Sequence, residues 1–522
     1  MTLEKKAAPQ EDTGPKDGSF EATQSFTHKS NSVNKDLDHA ETDIYFTGTS
    51  AEKTVQRITE FILEETAKFR RENPITSYLP DDSGRATAFG DYFGRFVKWN
   101  SAMGLMVYDP LDGVFKSDDL PNSVAYEFLE VNAVSAWDLR NAGGEKYLIE
   151  SAKTARTAQS KARVLDLAKK SPALLALPEE FDADHYGLNC SGVFVNLRTG
   201  EKRPTFPEDK CTLSTNITPA PGEPIKFLRF LDENACMRKD LTAFKLRFYG
   251  YCLTGDKKCP YFLNYIGSGA NGKSTETAVI QHVFGDYAIT IPPSVIVESK
   301  RDGPRPDLVS LRGTRLGIVH EVPPGRLSGD IKIITGDDQV VADEKYKNPI
   351  TFKPVIKLIA VSNHRLEIKT VDDAIRRRLR LVPFDYRVSE KQADPRLTEK
   401  LLDEAPQILN LFIQEAVAYL KNPGATGFPK SETIDRESTL YLNDEDIIGR
   451  FLAENTVRGL YPTKSVDLYK AYSFWAEEQG FDRKLGPRNF DEAVKSHGFR
   501  KCHSREGNIF ENLSLRCDGV TE

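Results

Sequence analysis

The stretch Tyr261-Phe-Leu-Asn-Tyr-Ile266-Gly267-Ser268-Gly269-Ala270-Asn271-Gly272-Lys273-Ser274-Thr275 decides the fold. A short apolar run ends in G-x-x-x-x-G-K-[ST], and a helical pattern follows from Ser274 to Phe284. Strand, glycine loop and helix form the context this pattern requires. Glycines let successive backbone N–H groups wrap a phosphate, and the helix N-terminus adds a favourable dipole. Lys273 would reach the β- and γ-phosphates, and the Ser274 hydroxyl would hold Mg²⁺. The whole loop, Gly267 to Thr275, is the expected ATP-binding element, with ATP and Mg²⁺ as cofactors. A glycine-rich surface turn with a solvated lysine is the plain alternative, and the flanks argue against it.

Further strand candidates follow at Arg315–His320, Lys357–Ser362 and Arg380–Phe384, separated by helical stretches or loops. That alternation predicts an α/β domain with a largely parallel sheet. Glu321 ends one strand and Asn363 the next. A carboxylate beside a phosphate loop can polarise water and help hold Mg²⁺, and an amide can contact the γ-phosphate. Either residue alone is also an ordinary strand terminator. Asp372-Asp-Ala-Ile-Arg376-Arg377-Arg378-Leu-Arg380 reads either as a solvated basic helix end or as an arginine finger.

Before this domain, a helix is predicted over Ala51–Glu72, where Val55, Ile58, Ile62 and Phe69 recur at helical spacing and Pro74 ends it. Aromatics and turns fill Phe89–Phe115. One long helix is expected over Ala155–Ala168, then short strands over Phe181–Pro221. This half reads as α-rich with a small β insertion. After about residue 390 a helical segment leads to Asn422-Pro423-Gly424, read as a linker. Helices are predicted at Ser465–Glu478 and Pro487–His497, then strands near Phe510 and Leu513–Arg516. The resulting division is a disordered tail over 1–45, an N-terminal domain over 46–245, the ATPase over 246–390, a helical linker over 391–440 and a C-terminal domain over 441–522.

Composition bounds the rest. The 522 residues suggest about three domains. Hydrophobic residues make up 39% and charged residues 28%, the profile of a soluble globular chain. The longest apolar runs are far too short to cross a bilayer, and residues 1–10 show no secretory signal. Seven cysteines, an odd number, argue against a disulfide framework, so a cytoplasmic setting is expected. Neither Cys252 with Cys259 nor Cys502 with His503 has zinc-site spacing. The net charge of −6 excludes a protein basic throughout but not a local basic channel. The tail is too polar to order itself, and its Asp36-Leu-Asp38 lacks the strand that a two-metal primase site needs.

In order and spacing these motifs resemble a superfamily 3 helicase of the AAA+ branch. The likeness is strongest to the helicase part of phage and plasmid primase-helicases and of the poxvirus primase-helicase. The family's phosphate loop closes on Asn-Gly-Lys-Ser-Thr, as Asn271 to Thr275 do. Leu311-Arg-Gly-Thr-Arg-Leu316 matches the lead-in to the catalytic glutamate, which falls on Glu321. Lys332 to Asp338 matches Lys-x-x-Thr-Gly-x-Asp, the sensor asparagine falls on Asn363, and Asp372 to Phe384 carries the finger, placed at Arg378 with Arg376 and Arg377 left open. Phe89–Phe115 and Phe181–Glu201 resemble the helicase-associated N-terminal domain. Leu468–Trp475, Phe490 and Gly498-Phe499 resemble a winged-helix-like C-terminal domain. The likeness spans roughly residues 80 to 516 and includes no primase domain.

The resemblance implies an ATP-dependent, ring-forming DNA helicase, hexameric as in the family, that translocates on single-stranded DNA in the replication of a phage, prophage or plasmid, in the host cytoplasm if phage-encoded. A nucleotide-gated origin-binding, DNA-remodelling or packaging ATPase is the alternative. Between Asp338 and Pro349 a β-hairpin is expected, carrying Lys345 and Lys347 around Tyr346 into the ring's pore, where they would contact single-stranded DNA. A second basic surface lies between Arg483 and Arg505. Implied partners are single-stranded DNA, forked or origin duplex DNA, further copies of the chain, and a separate primase or polymerase, with no membrane.

Overall fold

The computed structural model describes residues 50–118, 124–130, 146–298, 308, 311–328, 330–336, 338–342, 350–368, 371–389, 393–459, 461–481, 484–505 and 507–516. The expectations for the tail before residue 46, for Lys345, Tyr346 and Lys347, and for Arg483 lie outside these residues.

At the centre is a five-stranded sheet of β1 (Phe262–Ile266), β2 (Ala288–Thr290), β3 (Leu316–Val319), β4 (Lys357–Ser362) and β5 (Leu379–Pro383). Its order is β5-β1-β4-β3-β2, and every neighbouring pair is parallel. Parallel strands need both faces covered, and alternating residues here serve two cores. Leu263, Tyr265, Ile318, Ile359 and Val382 face one core. Phe262, Val319, Leu358, Ala360 and Leu381 face the other. The chain is thus mixed α/β around a parallel sheet, with helices on both sides.

The first of those cores reaches well beyond residues 246–390. It takes in α1 (Lys239–Leu253), which runs through the boundary expected at 245. It also takes in α2 (Lys273–Phe284), which follows the phosphate loop, and α3 (Ala405–Lys421). Phe412 and Tyr419 of α3 are fully buried among α1 residues such as Tyr249 and Tyr251. The stretch expected to be a linker therefore packs as part of the sheet's own body. Its apolar face is legible, but the surface that covers it lies more than a hundred residues earlier. Helix α4 (Glu432–Glu445) then crosses to the other face, where Ser438 Oγ accepts from the Leu381 N–H at 2.9 Å.

Residues before 182 build a separate core from helices Ser50–Glu72 and Asp82–Phe93 and the antiparallel sheet Val97–Asn100, Gly104–Asp109, Val114–Ser117. The helix expected over Ala155–Ala168 is broken. Lys146–Ala155 ends, and Ala158–Ala168 begins after Thr157, whose extended backbone lets its hydroxyl accept from the Ser160 N–H at 3.2 Å. Such capping by threonine competes with helix continuation. A second antiparallel sheet, Gly187–Cys190, Val193–Asn196 and Lys202–Pro204, joins the first core of the central sheet.

The C-terminal unit comprises α5 (Ile447–Asn455), α6 (Ser465–Glu478) and α7 (Pro487–Ser496). Lys501–Ser504 and Gly507–Phe510 form a hairpin joined on its second strand by Thr463–Lys464. Phe451, Leu468, Tyr472, Trp475, Phe490 and Phe510 make its own core. Tyr472 and Phe490 stack with ring centres 4.7 Å apart.

Candidate nucleotide site

Strands β1 and β4 are neighbours in register, with Ile266 opposite Ser362. Their C-terminal ends are flush, so the loops leaving them open on one edge of the sheet. There Gly269 to Thr275, Glu321 and Val361 to Asn363 line a pocket of about 300 Å³. Lys273, Ser274, Glu321 and Asn363, spread over ninety residues, share this pocket.

The loop's shape depends on missing side chains at two positions. A Cβ on Gly267 would stand 2.0 Å from Asn271 Nδ2 and 2.6 Å from the Phe384 carbonyl. Gly272 precedes α2 with φ +80°, a conformation that costs other residues steric energy. Asn271 is buried and donates to the Phe384 carbonyl at 2.9 Å, tying the loop to the end of β5. The Val388 N–H donates to the Ala270 carbonyl at 3.0 Å, a second tie.

Lys273 points into the loop's own mouth. Its Nζ donates to the Gly267 carbonyl at 2.7 Å, to Asn271 Oδ1 at 3.0 Å and to Asn363 Oδ1 at 3.1 Å. Burial holds its ammonium below the usual lysine range. Three neutral oxygens satisfy its donors without neutralising its charge, so an anion placed here would be strongly favoured. Ser274 is exposed at the start of α2. Glu321 is exposed as well, and its backbone sits at φ +49°. A non-glycine residue there is uncommon, and such strain gathers at functional sites.

Behind the loop lies a charge pair that sequence reading missed. Glu276 and Lys245 are both fully buried, with Nζ 2.7 Å from Oε2. The Tyr249 hydroxyl donates to Glu276 and lies 2.6 Å from the Tyr265 hydroxyl. This network pins α2 to α1 and β1. In the sequence, a glutamate in a helix's first turn reads as a solvated dipole partner, and nothing local signals its burial.

Arg378, expected to reach toward a neighbouring nucleotide, is turned into its own subunit. It is buried, donating from Nε to Thr335 Oγ1 at 3.0 Å and from Nη1 to the Ala374 carbonyl at 3.0 Å. Lys332 Nζ reaches Asp372 Oδ2 at 2.5 Å. The Lys332–Asp338 stretch thus holds the arginine segment in place. Arg376 pairs with Asp446 at 2.7 Å. Arg377 is exposed, and its guanidinium has no partner among the described residues.

For DNA, Val340–Ala342 and Ile350–Phe352 pair antiparallel, the two arms leading to and from residues 343–349. Of the C-terminal basic residues, Lys495 pairs with Glu492 and Lys501 with Asp491, and Lys484 pairs with Glu477. Arg488, Arg500 and Arg505 are exposed and lack side-chain ion pairs among the described residues. The basic face is therefore narrower than the count of basic residues suggests. No helix among the described residues is long and apolar enough to cross a membrane.

The "D5 N terminal like" family model matches residues 86–236, and a family of unknown function matches residues 265–378, the span holding the pocket. A protein of Acanthamoeba polyphaga mimivirus, provisionally named a helicase, is 26% identical over 329 residues, covering 56% of this chain and 33% of that protein. A likewise provisionally named helicase of Frog virus 3 (isolate Goorha) is 24% identical over 290 residues, covering 51% and 29%. Primase D5 of fowlpox virus is 28% identical over 141 residues, covering 26% and 17%. The chain is a relative of the phage and viral primase-helicases of superfamily 3. It spans a third or less of the length of these curated relatives. The apo C-terminal region of NrS-1 aligns at 9% identity with a TM-score of 0.43, covering 79% of this chain and 94% of that one.

Proposed function

We propose that this chain is an ATP-driven DNA helicase that works as a ring, hexameric as in its likeness to superfamily 3, in the replication of a phage, plasmid or virus. The observation that carries the reading is the single pocket shared by Lys273, Ser274, Glu321 and Asn363. The β5-β1-β4-β3-β2 order, with the phosphate loop after β1, fits an AAA+ ATPase. Helices α6 and α7 with the hairpin after them fit a winged-helix-like unit.

In this reading the backbone N–H groups of the loop and α2 cradle the ATP phosphates. Lys273 exchanges its three oxygen contacts for the β- and γ-phosphates. The donor set suits Mg²⁺, which takes one or two protein oxygens and otherwise phosphate and water. Ser274 and Glu321 offer those oxygens, and among the described residues no cluster of three or more His, Cys, Asp or Glu competes as a metal cage. Bound Mg²⁺ would neutralise phosphate charge. Glu321 orients and deprotonates the attacking water, and Asn363 holds the γ-phosphate end of the pocket. Arg377 is the finger, reaching a neighbouring subunit's nucleotide to stabilise charge that develops during transfer. Lys345 and Lys347 grip single-stranded DNA in the pore, and Arg488, Arg500 and Arg505 meet duplex backbone.

A forked-duplex displacement assay tests the reading. ATP-dependent unwinding that disappears in Lys273→Ala is expected. DNA-stimulated phosphate release without strand separation would favour a remodelling or packaging ATPase instead.

A further inference from the structure

Between Asn363 and Arg377, the residues Arg365, Ile368 and Arg376 are each held from outside by one of three consecutive carboxylates. Asp444 Oδ2 accepts from Arg365 Nη1 at 2.7 Å. Glu445 Oε2 accepts from the Ile368 N–H at 3.0 Å. Asp446 Oδ2 accepts from Arg376 Nη2 at 2.7 Å. One turn earlier on α4, the Tyr441 hydroxyl donates to the Leu366 carbonyl.

Asp446 also belongs to the C-terminal unit. Its Oδ1 caps α5 by accepting from the Gly449 N–H at 2.9 Å, and both its oxygens lie 3.0 Å from His497 Nε2 at the end of α7. A cavity of about 430 Å³ separates Glu367, Ile368 and Val371 from Tyr472, Phe481 and Leu485. Close packing does not lock the two sides together there, so the polar contacts set their relation. Asp444 and Arg365 are both substantially exposed, and such pairs add little to folding stability. Arg365 stands two residues beyond Asn363, and Arg376 stands directly before Arg377.

We propose that Asp444, Glu445 and Asp446 are positioning residues, a three-point clasp at the end of α4 that sets Asn363 and Arg377 for ATP hydrolysis, with Asp446 as its link to the C-terminal unit. The clasp rests on the ATPase reading given above. Displacement of α5 and α7, as when the C-terminal unit engages DNA, shifts Asp446 and with it Arg376. The nucleotide-binding loop touches none of the three carboxylates, so binding and turnover separate.

The test uses the full chain with Asp444→Asn, Asp446→Asn, the double variant, and the charge exchange Arg365→Asp with Asp444→Arg. Affinity for a fluorescent ATP analogue, phosphate release and Tm are measured in each. The double variant is expected to bind nucleotide as wild type does while kcat falls about tenfold or more. Asp444→Asn alone, at an exposed site, is expected to lower kcat without lowering Tm, and the exchange to recover it. Wild-type kcat in both Asp444→Asn and the double variant, with hydrolysis still dependent on Lys273, would overturn the clasp and leave the ATPase standing. Hydrolysis indifferent to Lys273→Ala would overturn the ATPase reading and the clasp with it.

Discussion

Lys273 Nζ lies 3.1 Å from Asn363 Oδ1, a contact between residues ninety positions apart. It exists because β1 and β4 run parallel, in register, side by side. The two loops leaving them cannot avoid one another. A lysine held by an asparagine amide is poised to share an anion with it, since a γ-phosphate oxygen can accept from both once the amide turns. In the proposed ATPase the pairing would link phosphate binding to the position of Asn363.

Lys273→Ala is expected to lower ATP hydrolysis by at least about a hundredfold, the cost of removing a preorganised charge from the reacting phosphate. Glu321→Gln is expected to bind ATP normally and turn it over at a comparably reduced rate, because only water activation is lost. Nucleotide binding and phosphate release, measured together, check both. Near wild-type turnover in Glu321→Gln would remove Glu321 from the mechanism.

The neighbouring arginines should separate into a structural and a reactive residue. Arg378→Ala leaves Thr335 and a carbonyl without their partner and is expected to cost about 1–3 kcal/mol of stability. Arg377→Ala is expected to keep Tm and lose hydrolysis. Mixed with Lys273→Ala subunits, it should regain some activity, because some interfaces then pair an intact loop with an intact finger. Absence of recovery at every ratio, in co-assembled rings, would count against Arg377.

Lys345→Ala with Lys347→Ala should preserve basal hydrolysis and ring formation. The log–log salt slope for single-stranded DNA should shrink by about 1.4, at ~0.7 per lost phosphate contact. DNA stimulation and unwinding should fall together. An unchanged slope with normal unwinding would move the DNA path toward Arg488, Arg500 and Arg505.

The joint at Asp446 should respond to pH. Hydrogen bonding to Asp446 raises the His497 pKa, while the nearby Arg376 opposes this, and the ring's other nitrogen faces the Ala493 carbonyl. Asp446 is held below its usual value despite burial, by His497, the Gly449 N–H and Arg376. The His497 contribution to stability is therefore complete below its unfolded value of about 6.5 and fades as pH rises through the higher folded value. The Asp446 contribution is present above its unfolded value of about 3.9 and fades as pH falls through the lower folded value. Partial desolvation shifts His185 and His320 downward, and they act in the opposite sense to His497. The informative quantity is thus the Tm difference between wild type and His497→Gln, expected to be larger at pH 6 than at pH 8. An equal difference at both would show that His497 does not titrate against Asp446.

Elements whose instructions are local were legible in the sequence. Gly267 to Thr275 carries its own turn chemistry, and β1, β3, β4 and β5 were legible within a residue or two because short apolar runs between loops have few other uses. Helices α6 and α7 followed from their periodicity. Tertiary structure decided everything that depends on a distant surface. Strand β2, three residues at the sheet edge, is too short to signal itself. Helix α3 read as a linker because its covering partner, α1, lies far upstream. Arg376, Arg377 and Arg378 are chemically alike in sequence, and only the end of the short helix Asp373–Arg376 and the turn that leaves it aim one at Asp446, one at solvent and one at Thr335. The Lys245–Glu276 pair and the Asp444–Asp446 contacts join residues 31 to 79 positions apart, separations at which charge pattern alone carries no pairing information.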